Sequence, residues 1–213
     1  MALPRKQGKK KARRRPLVVG LTGGVGCGKT VVAEEFARRG AVVISGDEAG
    51  HDVVDRDANL QEKLARRFGE NILTDKGIDR RKLARRAFAF EEGRQRLNEL
   101  VHPALVRELT RRVRAAGKSR DVPMVVVDAA LLVEWGMRVP VDVLVAVWAS
   151  RADRLRWLQE RGWPADEIKG RMRAQLPFTV KKALADYVLR NDGGLAALRR
   201  KAARLWQKIL DDR

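Results

Sequence analysis

The stretch Gly20-Leu21-Thr22-Gly23-Gly24-Val25-Gly26-Cys27-Gly28-Lys29-Thr30 carries the first chemistry in the chain. From Gly23 to Thr30 it reads G-x-x-x-x-G-K-T, the spacing of a phosphate-binding loop. A triphosphate needs many donors close together and no side chains in the way. Glycines let the backbone wrap inward with its N–H groups pointing at the anion. A following helix adds its positive end. Lys29 can reach the terminal phosphates, and the Thr30 hydroxyl suits Mg²⁺. Gly23, Gly24, Val25, Gly26, Cys27, Gly28, Lys29, Thr30 and Val31 are therefore the expected lining of an ATP site. Cys27 holds a variable position and reads as a small filler, not a nucleophile.

Further candidates follow along the chain. Asp47 comes just after an apolar run, Ala41-Val42-Val43-Ile44. Ligands of parallel α/β sheets bind beyond the carboxyl ends of strands. A carboxylate there can take the proton of an attacking hydroxyl or hold Mg²⁺ through water. It can equally cap a helix starting near Glu48. His51 follows four residues later on the same helix face. Asp128 ends a third apolar run, and Glu134 comes soon after. Ser150 to Arg173 is rich in arginine, including Arg151, Arg154, Arg156, Arg161 and Arg171. A closing lid over phosphates needs that charge, but an ordinary basic helix pair has the same composition. Asn191, in the loop Arg190-Asn191-Asp192-Gly193-Gly194, is expected near a nucleotide base.

The elements that would hold these residues alternate. Short β-branched runs at Pro16–Gly20, Ala41–Ile44, Pro123–Asp128, Val141–Trp148 and Tyr187–Leu189 read as buried strands. Helical spacing separates them, and Leu195 to Leu210 is an amphipathic closing helix. The fold class is α/β, a doubly wound parallel sheet of about five strands. Residues 55–120 hold too much helix for one crossover and read as a helical insertion beside the sheet. Within it, Asn59–Phe68, a helix from Asp79, Glu91–Leu100 and Pro103–Ala116 are separate helices, the last two divided at His102-Pro103. Gly162-Trp163-Pro164 splits Ser150 to Arg173 into a helical pair, within a lid of residues 150–182. The nucleotide-binding core is thus 16–54, 121–149 and 183–213.

The chain has 213 residues and a net charge of +19. Eight positive charges lie between Arg5 and Arg15; taking those from +19 leaves +11 on the rest. Residues 1–15 read as a basic, disordered tail. One cysteine excludes a disulfide framework, and with two histidines it makes a structural zinc site a poor fit. A cytoplasmic location is expected. No apolar run reaches the ~20 residues of a membrane span.

In order, these stretches resemble the dephospho-CoA kinase family from about Leu17 to the end. The resemblance rests on the glycine loop, Asp47 with His51 and Val53-Val54, and Phe68-Gly69 with Ile72-Leu73. It continues through Asp79-Arg80 with Leu83, Leu97-Asn98 with His102-Pro103, and Leu131-Leu132 with Glu134. Arg171 with Ala174-Gln175, and Ala185-Asp186-Tyr187-Val188 with Asn191, complete it. The likeness implies a P-loop fold with a CoA-binding helical insertion and a lid. It implies ATP-dependent phosphorylation of the ribose 3′-hydroxyl of dephospho-CoA, the last step of coenzyme A synthesis. Asp47 matches the catalytic aspartate, beside Lys29. His51, His102, Glu134, Arg161, Arg171 and Lys181 are the residues it suggests for substrate. The family usually has Asp-Ala-Asp where this chain has Ser45-Gly46-Asp47, and an arginine where it has Trp157.

Other readings differ in class. Another small-metabolite kinase would share the loop but not the insertion motifs. A regulatory GTPase fits Asp47-Glu48-Ala49-Gly50, but no N-K-x-D motif is present. A nucleic-acid-dependent ATPase fits the charge, yet Asp128-Ala129 replaces the usual Asp-Glu and no aromatic platform is evident. The expected partner is dephospho-CoA, with no specific nucleic acid and no membrane. The expected state is a monomer or weak homo-oligomer.

Overall fold

The computed structural model describes residues 15–213 apart from 76, 90, 120 and 135. Its main sheet has five parallel strands: β1 (Leu17–Gly23), β2 (Val42–Ser45), β5 (Met124–Asp128), β6 (Val143–Trp148) and β7 (Tyr187–Arg190). Their order is β2-β5-β1-β6-β7, so β1 lies at the centre and β2 and β7 at the edges. A short antiparallel pair, β3 (Leu73–Thr74) and β4 (Gly77–Ile78), stands apart.

The central strands alternate their side chains between two cores, as a pleated strand must. On β5, Met124 and Val126 enter one core while Val125 and Val127 enter the other. On β1, Val19 and Leu21 join the first and Val18 the second. Helix α1 (Lys29–Arg38) and the closing helix α9 (Gly194–Asp211) cover the first face, where Phe36 and Trp206 meet edge to face at 5.4 Å. Helices α2 (Gly46–Arg56), α3 (Ala58–Phe68), α4 (Arg80–Phe88) and α5 (Glu91–Ala116) cover the second. The predicted insertion therefore shares one continuous core with the sheet, through Leu64, Leu83, Leu105 and Val127.

One helix boundary is corrected. The break expected at His102-Pro103 does not occur: α5 runs unbroken through Pro103. Proline removes one intrahelical hydrogen bond to the carbonyl four residues back. Here that residue is Glu99, and both it and Pro103 are exposed residues. Leu97 and Val101 before the proline, and Leu105 and Leu109 after it, pack on the same core and keep the two halves in line.

The basic tail lies outside the described residues except for Arg15. Arg15 is no part of a free tail: its guanidinium grips Asp142 with two hydrogen bonds of 2.9 and 2.6 Å. The same carboxylate accepts from the Val18 amide at 2.8 Å, which fixes the start of β1. Three further helices, α6 (Arg151–Glu160), α7 (Ala165–Arg173) and α8 (Phe178–Leu184), lie between β6 and β7.

Candidate active site

Strand β1 runs to Gly23, further into the glycine loop than apolar character alone marks, and α1 begins at Lys29. The turn between them is possible because Gly28 has φ +96°. A Cβ there would also come within 2.6 Å of Leu198 and 2.8 Å of the Asn191 amide. Only glycine meets both demands. No side chain caps α1, so its positive end is left to the loop.

Within the loop, three amides already have partners. Cys27 N–H folds back to Gly24 O at 3.1 Å, Val31 N–H donates to Gly28 O at 3.0 Å, and Val25 N–H donates to Gln175 Oε1 at 2.8 Å. Asn191, expected near the base, is buried and donates from Nδ2 to Cys27 O at 3.1 Å. Its main chain follows β7 and is tied to Trp148 O at 2.7 Å, so it props the loop against the sheet. Its Oδ1 is buried with no hydrogen-bond partner among the described residues. Cys27 is 2% exposed, and burial pushes its thiol above the ordinary value. It is a packed filler.

The strand ends bring the next residues together. Leu21 on β1 and Ser45 on β2 both stand opposite Asp128 on β5. Lys29 Nζ donates to Asp128 Oδ1, pairing the loop lysine with the end of the neighbouring strand. Ser45, not Asp47, caps α2: its hydroxyl accepts from Glu48 N at 3.2 Å. Asp47 is exposed in the first turn of α2, with its carboxylate not used as the cap. Gly46 lets that turn sit against the sheet, since a Cβ there would approach Ala129 Cβ to 2.8 Å. His51, one turn on, is exposed as well.

The arginines of α6 and α7 divide by what they meet. Arg171 is drawn outward: it pairs with Glu167 at 3.0 Å and lies over the Trp163 ring at 4.6 Å. Arg156 pairs with Asp153 at 2.9 Å, and Arg161 is an exposed C-cap. Arg154 turns inward, onto the loop, where any Cβ at Gly24 would strike its guanidinium. Its Nε is buried without a partner among the described residues, and burial, with the nearby Arg151 charge, lowers its pKa. A half-buried cation with an unpaired Nε gains from an anion. A cavity of about 310 Å³ lies here, walled by Gly24, Trp148, Arg154, Arg173, Gln175 and Lys181. Arg154 was expected only as one of several arginines of the basic stretch, and Arg173 and Gln175 were not among the predicted site residues, while the predicted Arg161 and Arg171 do not line this cavity. The Gly24-to-lid approach that selects Arg154 is not written in the arginine spacing.

Lys181 and Glu134 are brought together with each other. Lys181 Nζ lies 2.7 Å from Glu134 Oε1 and donates to Ala130 O at 2.8 Å. His102 stands apart from this group, half-buried on α5, the helix that packs on α2. Burial first, and the charge of Arg138 second, push its pKa below the ordinary histidine value. Among the described residues, no three His, Cys, Asp or Glu side chains form a metal-binding cluster.

Comparison with known proteins decides the family. The family model for dephospho-CoA kinase matches residues 17–197. The chain belongs to the dephospho-CoA kinase family. The dephospho-CoA kinase of Syntrophotalea carbinolica is 37% identical over 91% of this chain and 92% of its own length. That of Corynebacterium glutamicum is 36% identical over 91% and 98%. A crystal structure of TT1252 from Thermus thermophilus superposes with a TM-score of 0.72 at 30% identity, covering 92% of this chain and 98% of that one. At the level of fold alone, a shikimate kinase from Acinetobacter baumannii shares the architecture, with a TM-score of 0.52 at 16% identity. The α/β P-loop kinase fold read from the sequence is therefore the fold of this dephospho-CoA kinase family member.

Proposed function

We propose that this protein transfers the γ-phosphoryl group of ATP to the ribose 3′-hydroxyl of dephospho-CoA, giving coenzyme A and ADP. The observation that carries the reading is the register of the strand ends. Ser45 stands beside Asp128, which holds Lys29, so Asp47 lies one strand away from the lysine of the glycine loop. A donor loop and an acceptor base thus share one rim.

In this reading the loop and the N-terminus of α1 hold the phosphates. Asp47 orients the acceptor hydroxyl and takes its proton. The hydroxyl oxygen bonds to the γ-phosphorus, the bond to the bridging oxygen breaks, and ADP leaves with that electron pair. Lys29 leaves Asp128 for the phosphates, and Arg154 finds in them an anion for its half-buried guanidinium. Positioning and charge stabilisation supply most of the rate. The donor set suits Mg²⁺ carried in with ATP: hard oxygen donors, the Thr30 hydroxyl and the Asp128 carboxylate, stand at the loop, and phosphates and water complete its shell. When bound, that ion would offset charge on the phosphate oxygens. His51 on α2 and His102 on α5 lie on the helical side, where the large acceptor is placed.

Residues 16–54, 121–149 and 183–213 then act as the nucleotide core, 55–120 as the acceptor side and 150–182 as the lid. No helix among the described residues is long and apolar enough to cross a membrane. We place the protein in the cytoplasm, in keeping with its one buried free thiol.

The test is direct. Protein, Mg²⁺-ATP and dephospho-CoA are mixed and the product is weighed by mass spectrometry. Coenzyme A and ADP in equal amounts are expected. ADP without coenzyme A, or turnover that requires DNA or RNA, would refute the reading.

A further inference from the structure

We propose that Gln175 is a positioning residue for phosphoryl transfer, tying the closed lid to the glycine loop through the Val25 amide. The inference rests on the kinase reading above and deepens it.

Val25 lies between the end of β1 and the start of α1, where neither sheet nor helix supplies a partner for its N–H. Gln175 Oε1 supplies one at 2.8 Å. The other side-chain amide on the loop is Asn191, which holds Cys27 O from the end of β7. These two contacts differ in what carries them. Asn191 is fixed to the sheet through Trp148 O. Gln175 lies between α7 and α8, in the segment that leads out of the lid. The loop is therefore held by one anchor on the sheet and one on the segment between α7 and α8.

The segment that bears Gln175 is fastened at its other side as well. Leu176 N donates to Glu134 Oε1 at 3.0 Å, and Glu134 pairs with Lys181 in the next helix. Residues 175–181 thus bridge the donor loop and the chain that follows β5. Opening the lid would exchange both amide contacts for water. One neutral hydrogen bond contributes only ~1 kcal/mol net, which makes the Gln175 contact a latch rather than a lock. A latch of that size shifts how often the site is shut when both substrates are present. It thereby sets how well water is excluded from the γ-phosphate.

The experiment compares wild type, Gln175→Met and Gln175→Glu. Methionine keeps the length and removes the acceptor; glutamate keeps an acceptor oxygen. Coenzyme A formation and acceptor-independent ATP hydrolysis are measured side by side. Gln175→Met is expected to lower kcat for coenzyme A by roughly tenfold, the effect of one hydrogen bond at the upper end of its range. Its KM for ATP should stay close to wild type, and the share of ATP lost to water should rise. Gln175→Glu should restore the partition. A purely structural role would move melting temperature but not the partition. Gln175→Met with wild-type kcat and partition, or Gln175→Glu indistinguishable from Gln175→Met, would overturn the proposal. If a variant fails to fold, hydrogen exchange at the Val25 amide of the wild type decides. Protection in the protein without nucleotide supports the contact; exchange as fast as in open chain overturns it. A wild type that makes no coenzyme A would instead sink the kinase reading itself.

Discussion

Lys181 and Glu134 form a buried ion pair, 2.7 Å apart, with the lysine side chain 1% and the glutamate 14% exposed. The lysine also bonds Ala130 O at 2.8 Å, and the glutamate also accepts from Leu176 N at 3.0 Å. Residues that the family resemblance suggested for substrate are here satisfied by each other and by the main chain. Their first duty is to join α8 to the segment after β5.

That pairing makes a stability prediction. Lys181→Met leaves Glu134 charged and without its cation in a desolvated place. Breaking such a pair costs about 3–5 kcal/mol, whereas replacing both partners costs much less. Urea melts should show a large loss for Lys181→Met and a substantial recovery in Lys181→Met with Glu134→Leu. Equal losses in the single and double variants would show that the pair is not coupled.

Ser45, not Asp47, caps α2, which leaves the Asp47 carboxylate open for the base role proposed above. Since Ser45 caps α2, Asp47→Asn should leave the fold and ATP binding intact. Phosphoryl transfer should fall by ~10²–10⁴-fold, the usual contribution of a general base. Rapid-quench assays with isothermal titration of ATP would check both halves. Near-normal turnover would remove Asp47 from the chemistry.

Lys29→Ala should act differently, because it strikes the donor. ATP binding weakens and turnover collapses, and Asp128 loses its cation. An Asp128→Asn change in the same background should not restore turnover, since the lysine charge itself is what the phosphates lack. Nucleotide titrations and steady-state rates on both proteins would show it.

The division of the lid arginines gives a paired test. Arg154→Ala should raise KM for ATP and lower kcat, because its guanidinium rests on Gly24. Arg171→Ala removes a charge that already serves Glu167 and Trp163. It should change kinetics little. A larger kinetic effect at Arg171 than at Arg154 would contradict the placement of the two guanidiniums.

Acid stability should depend on Glu108. Hydrogen bonds from Arg111 first, and then Arg112, hold its carboxyl down from 4.5 to about 2. A depressed acid stabilises the fold above its unfolded value and loses that contribution as pH falls through the folded one. The contribution is therefore whole above pH 4.5 and lost between there and about pH 2. Urea midpoints of wild type and Glu108→Gln should differ at neutral pH and converge towards pH 2. A constant gap would mean that the carboxylate charge is not what matters.

The glycine loop, the five strand runs and the family were all legible in the chain. They depend on local spacing: a G-x-x-x-x-G-K-T run, β-branched runs of strand length, and turn residues between them. Asp47 was legible as a candidate because it follows a strand end. What the sequence could not say was which polar side chains look inward and which residue serves which partner. Those depend on helix phase and on contacts between residues far apart in the chain. Arg154 and Arg171 are both arginines of one basic stretch, yet only Arg154 reaches the loop. The α5 break at Pro103 failed to appear because packing on both sides outweighed one lost hydrogen bond. Lys181 meets Glu134 from 47 residues away, and Gln175 meets Val25 from 150. Local pattern determined the fold and the chemistry of the loop; only tertiary packing, which pairs charges and donors across the chain, decided how that loop is held and covered.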